Sequence, residues 1–255
     1  MDLLQGFADI SLWQLILVAA VALLASIVGG VTGYGSSALM PLVLVPLIGP
    51  EPVVPIVSIS GLFNNVTRAF AFRDYIDFRR GLIIMLAAVP TCMAGAYIYT
   101  KLTSAGILIA IGMMLCLSVP LRRWLIHMKV QMSNSGLAAG SVAYGFLAGS
   151  TTGSGVILLS LLMASGLAGA FVVATDAFVS IAVAVSKLLV FGVSGAMTLQ
   201  VIAFGLLIGL VALPGAFLAK AFVERLPVHV HTGILDGIVV LGGAMMVFHA
   251  IKQWL

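Results

Sequence analysis

Between residues 11 and 250 one apolar run follows another, and no polar stretch between them is long enough to build a water-soluble domain. The runs fall at about 11–30, 37–48, 52–72, 80–100 and 104–120, then at about 134–149, 155–165, 170–191, 198–222 and 231–250. Of all residues 62% are hydrophobic and only 8% charged, against about 25% charged in a soluble domain, so the composition is that of a bilayer protein. A span takes about 20 residues, which gives the chain about eight to ten crossings or their equivalent. With no water to satisfy backbone groups in hydrocarbon, these are expected to be helices. The first run follows Asp2 and Asp9 with no basic n-region, and reads as a retained span and not as a cleaved leader.

Two junctions between runs are unlike the others. One reads Gly29-Gly30-Val31-Thr32-Gly33-Tyr34-Gly35-Ser36-Ser37, the other Gly149-Ser150-Thr151-Thr152-Gly153-Ser154-Gly155. They share Thr-Gly-X-Gly, with the first glycines of the two motifs 120 positions apart (153 − 33 = 120). Glycine lowers helix stability by about 1 kcal/mol and admits φ > 0, so each cluster predicts a break inside an apolar region. The run after each break has only about 11 or 12 residues, under about 20 Å at 1.5 Å per residue and short of hydrocarbon about 30 Å thick. Each short run and its predecessor are therefore predicted to be a broken or re-entrant pair with the glycine cluster at its tip. Such breaks survive in a membrane only where protein or a water-filled cavity satisfies the freed backbone.

Further correspondences point to an internal repeat. Arg68 matches Lys187 (187 − 68 = 119), with Val66-Thr67-Arg68 over Val185-Ser186-Lys187 and Phe72 over Phe191. Pro90 and Pro214 each fall eleven residues before a basic-leucine pair, Lys101-Leu102 and Arg225-Leu226. The expected fold is all-α, two repeats of about five helical segments, residues 1–130 and 131–255. The basic clusters Arg73, Arg79, Arg80 and Arg122, Arg123, Lys129 can both be cytoplasmic, and Lys220 with Arg225 returns to that side. Each half then has odd parity, so the repeats are expected to be inverted, with the broken helices meeting near the midplane and both termini outside.

Helix starts carry partial positive charge and bind anions. Two of them facing one another, with Thr32, Gly33, Tyr34, Gly35, Ser36 and Ser37 on one side and Thr151, Thr152, Gly153, Ser154 and Gly155 on the other, would hold a small oxyanion. Close packing through small residues is the plainer alternative. Arg68 and Lys187 lie within predicted spans, where a cation faces a cavity or partner unless it snorkels to the interface. Asp176 shares a helical face with Lys187 but stands eleven residues before it, about 16 Å along the axis, too far to pair. It is expected to carry a coupling proton, to balance a cation elsewhere, or to start a helix at the interface. Asn64 and Asn65 are substrate contacts or interhelical hydrogen-bonding groups, and Asp236 is a weaker candidate of the same kind as Asp176.

Other classes find little support. The net charge of +4 lies beside span ends and not on one polar face, so nucleic acid is not an expected partner. Cys92 and Cys116 sit in apolar runs as small fillers, and His229 and His231 read as interfacial. No metal or other cofactor is expected. Neither a paired carboxylate nor a nucleophile–base pattern occurs in the spans, which argues against an enzyme. The expected partners are a small anion and the lipid bilayer, with a homodimer left open.

Residues 29–41 (GGVTGYGSSALMP), the weaker repeat at 149–155 and the Arg68 segment with its short basic loop resemble the TauE/SafE family of membrane proteins, named for sulfite exporters. The resemblance spans nearly the whole chain. It implies a bacterial inner-membrane protein that exports sulfite or a sulfonate-type anion, driven by protons or by the membrane potential. Ser36-Ser37 stands where that family often continues with more glycine. Two alternatives remain. Val31-Thr32-Gly33-Tyr34-Gly35 is similar to the Thr-Val-Gly-Tyr-Gly potassium filter, with Thr and Val exchanged and no tyrosine in the second break. A membrane assembly factor without a transported substrate is the third reading.

Overall fold

The computed structural model describes residues 3–7, 10–32, 35–128, 132–223 and 228–254, and side chains within them other than 3–4, 28–32, 35–36, 122–128, 216–223, 228–236 and 253–254. Among the described residues there are ten α-helices and no strands. The first five are α1 (Leu12–Thr32), α2 (Gly35–Ile48), α3 (Val53–Ala71), α4 (Phe78–Tyr99) and α5 (Ser104–Met128). The second five are α6 (Asn134–Ser150), α7 (Gly155–Ala164), α8 (Ala170–Val193), α9 (Leu199–Val223) and α10 (Val228–Trp254). Each follows an expected apolar run closely. The main differences are α5, which continues through the basic stretch to Met128, and α10, which begins at Val228. Trp124, Leu125 and Ile126 interrupt the charges of that stretch, so its sequence still suits a helix.

The protein is an all-helical, multi-pass membrane protein. Phe78–Tyr99, Ser104–Leu121 and Ala170–Val193 are each long and apolar enough to cross hydrocarbon. Large apolar side chains such as Phe70, Leu86, Leu189 and Phe248 point outward, where lipid suits them and water does not. In contrast, α7 has 10 residues, about 15 Å of helix, too short to cross by itself. It packs beside α6, as α2 packs beside α1.

Local chemistry sets the helix ends. Asp77 caps α4 by accepting from the Arg80 amide at 2.9 Å, and Ser133 caps α6 by accepting from the Gly136 amide at 3.3 Å. Gly49, in the left-handed region at φ 82°, turns the chain between α2 and α3. The Tyr99 hydroxyl then fastens this turn by donating to the carbonyls of Pro50 and Glu51. Pro90 and Pro214 lie inside α4 and α9 without ending them.

The main packing pairs come in exchanged couples. The α4–α6 contact has its counterpart in α1–α9, α3–α9 in α4–α8, α2–α3 in α7–α8, and α5–α7 in α2–α10. Two pairs, α3–α8 and α5–α10, are their own counterparts. The α4–α6 contact is the most extensive, and glycine makes it possible. A Cβ on Gly145 would run into the backbone of Ala88, one on Gly149 into the carbonyl of Cys92, and one on Gly95 into the carbonyl of Phe146. Small residues of this kind let membrane helices approach until their backbones touch.

Two apolar clusters result. One gathers side chains mainly from α1, α2, α3, α5, α9 and α10, including Met40, Leu44, Ile56, Ile111 and Phe204, with Tyr99 of α4 and Phe191 of α8 joining it. The other gathers α4, α6, α7 and α8 around Ile84, Leu137, Leu158 and Val179. Gly149→Val should push α4 from α6 and cost about 1–3 kcal/mol, read as a lowered unfolding temperature in detergent. Gly237 is an exposed glycine inside α10 with no atom within 4 Å of an added Cβ, so Gly237→Ala should be neutral or stabilising by up to about 1 kcal/mol.

Candidate functional site

Between the two clusters lies a cavity of about 110 Å³. One water takes about 30 Å³ in the liquid, so the space suits a small oxyanion or a few waters. Its two long walls are α3 and α8. On α3 the wall residues run Val57, Gly61, Asn64 and Arg68; on α8 they run Asp176, Ser180, Val183 and Lys187. Both series step by four, three and four residues, the spacing of one helical face. Each α8 residue stands 119 positions after its α3 counterpart, the offset that relates Arg68 to Lys187. Asn65 and Ala184, related by the same offset, also line the space.

The second break closes one end. Thr151 ends α6 in an extended conformation, and Gly153 is left-handed at φ 84°, the geometry its glycine permits. The Thr151 hydroxyl donates to the Ala110 carbonyl of α5 at 3.2 Å and so fixes the turn against a third helix. All of Thr151, Thr152, Gly153, Ser154 and Gly155 line the cavity, which therefore receives the start of α7. Ser154 makes no side-chain cap, and the buried Thr152 hydroxyl has no hydrogen-bond partner among the described residues. The first break reaches the same space through Ser37, the third residue of α2. Gly33 and Tyr34 lie outside the described residues, as do the side chains of Thr32, Gly35 and Ser36.

Two buried charges meet across the walls. Arg68, 4% exposed, donates to Asp176 Oδ2 at 3.0 Å, to Asn65 Oδ1 at 3.3 Å and to the Val173 carbonyl at 3.5 Å. This burial excludes the snorkelling expected as an alternative for Arg68. Asp176, 2% exposed, likewise is not an interfacial helix start. It balances a cation, and that cation is Arg68 on α3, not Lys187 on its own helix. Lys187 is half-buried on the wall and makes no hydrogen bond or ion pair with a described residue. The site-residue candidates whose side chains are described thus gather at one cavity. The side chains of Asp236, His229 and His231 lie outside the described residues, as do those of Arg122, Arg123, Lys129, Lys220 and Arg225.

Sequence reasoning missed Gly61, Ser58, Tyr144 and Ser180, all on the cavity wall. For Gly61 and Ser180 the signal was present, because stepping back from Arg68 and Lys187 by helical intervals lands on both. Tyr144 carried no such signal, since its place on the wall follows from the close α4–α6 and α6–α8 packing.

Residues 18–246 match the family described as Sulfite exporter TauE/SafE. The chain belongs to that family. The match contains both breaks and the whole cavity wall, and places the protein among membrane transporters, as its sequence resemblance implies. No curated protein and no solved structure matches the chain.

Removing one member of a buried ion pair strands the other charge, at a cost of about 3–5 kcal/mol, whereas replacing both is far milder. Arg68→Met and Asp176→Leu should each lower the unfolding temperature sharply in detergent. The double variant should recover most of that loss, which a double-mutant cycle would measure.

Proposed function

We propose that the protein exports a small sulfur-containing anion, sulfite or a small organosulfonate, across the bacterial inner membrane by alternating access. The observation that carries this reading is one cavity onto which α7 opens at its start, α2 abuts through Ser37, and Lys187 presents a cation with no partner among the described residues. Helix starts supply N–H donors and partial positive charge to an anion, and Lys187 supplies a full charge. Ser37, Ser154 and the unpartnered Thr152 hydroxyl add donors of the kind an oxyanion accepts.

The two-repeat division at residues 1–130 and 131–255 is supported by the exchanged packing pairs and by the α3 and α8 wall residues, five of which correspond at 119 positions. In the proposed arrangement the repeats are inverted, the breaks meet near the midplane and both termini lie outside. Rocking of one half against the other then opens the cavity to each side in turn. An inside-negative potential favours anion exit by about 2.3 kcal/mol per charge per 100 mV. Asp176, buried on the cavity wall, is the carboxylate assigned to a coupling proton in this reading.

Purified protein in liposomes tests the reading. Lys187→Gln should cut sulfite efflux by about tenfold or more with the fold intact, since it removes the unpaired cation. Gly61 faces open space, with no atom within 4 Å of an added Cβ. Gly61→Leu should therefore fill the cavity without strain and block efflux at wild-type thermal stability. Unchanged efflux in both variants would place transport elsewhere in the protein.

A further inference from the structure

The charges on the cavity wall break its symmetry. Arg68 and Lys187 are counterparts at 119 positions, but Asp176, which meets Arg68 at 3.0 Å, has Val57 as its counterpart (176 − 119 = 57). Asn65, which accepts a second hydrogen bond from Arg68, has Ala184 (65 + 119 = 184). Val57 and Ala184 both stand on the wall, so the positions equivalent to those that satisfy Arg68 are apolar for Lys187. The described wall therefore holds two cations and one carboxylate, a net charge of +1. Residues 28–37, which include the first break, contain no charged residue and do not alter this count.

We infer that the site takes a singly charged oxyanion, hydrogensulfite or a monosulfonate, in preference to a dianion, and that Asp176 is the residue that sets this preference. The inference rests on the export reading and narrows its substrate. Desolvation cost grows with the square of the charge, so a dianion gives up about four times the hydration free energy of a monoanion of equal size. One free cation neutralises a monoanion but leaves a dianion with an unbalanced negative charge in a low-dielectric cavity. The Asp176 carboxylate takes up the charge of Arg68 and repels a second negative charge on the ligand. A site for dianions would leave Arg68 free beside Lys187, as it would be if Asp176 were the valine that stands at its counterpart.

Methanesulfonate and sulfate keep one and two negative charges across neutral pH, so their binding to purified protein in nanodiscs reads valence without titrating the ligand. Wild type should bind methanesulfonate at least about tenfold more tightly than sulfate. Asp176→Asn, which raises the wall to two net positive charges, should shift that ratio about tenfold or more toward sulfate. In liposomes, wild-type efflux at fixed total sulfite should fall as pH rises and hydrogensulfite loses its proton. Sulfate binding that equals or exceeds methanesulfonate binding in wild type would overturn the inference. So would an unchanged ratio in folded Asp176→Asn, or efflux that rises with the dianion. If that variant does not fold, the two wild-type measurements decide. Folded wild-type protein that binds none of these anions would overturn the export reading and this inference with it, whereas binding without valence preference would overturn only the latter.

Discussion

A guanidinium and a carboxylate can both be buried in an apolar helical bundle only if they meet. The contact between Arg68 and Asp176 at 3.0 Å therefore fixes how α3 lies against α8. The neighbouring residue on α8 extends this constraint, because the Thr175 hydroxyl accepts from the Asp77 amide at 3.0 Å. Asp77 in turn caps α4 through the Arg80 amide. One stretch of α8 thus positions the end of α3, the following turn and the start of α4.

From α4 the order passes to the second break by close packing. Gly145 and Gly149 lay α6 directly on the α4 backbone, and Thr151 hooks the following turn to α5. The turn cannot then collapse onto the walls. Between an α3 face with a glycine at position 61 and an α8 face with a serine at position 180, small side chains leave the space open. Large side chains fill the clusters on either side, so the cavity is the place where polar groups can gather inside an otherwise apolar molecule.

Its functional character follows from what is paired and what is not. Arg68 has a counter-ion and two further acceptors, while Lys187 has none among the described residues. A structural cation and an available one thus occupy counterpart positions on the two walls. The difference between them comes from Asp176 standing where the other wall carries Val57, and Asn65 where it carries Ala184. Two walls that share a helical register but differ in the residues they carry there thus leave one cation satisfied by the protein and the other available.

Much of this was legible in the chain alone. Bilayer burial demands long apolar runs and punishes any polar interruption, so ten helices, two glycine breaks and the membrane class all stand out in the order of residues. The 119-residue correspondence of Arg68 and Lys187 was equally visible, and helical periodicity already placed Asp176 on the face of Lys187. Periodicity says which residues share a face, but not which helix lies opposite. That Asp176 meets Arg68 across two helices, that Tyr144 reaches the same space, and that glycine brings α6 onto the α4 backbone were decided only by tertiary packing. Contacts between residues about a hundred positions apart depend on how whole helices cross, and no local pattern encodes that distance.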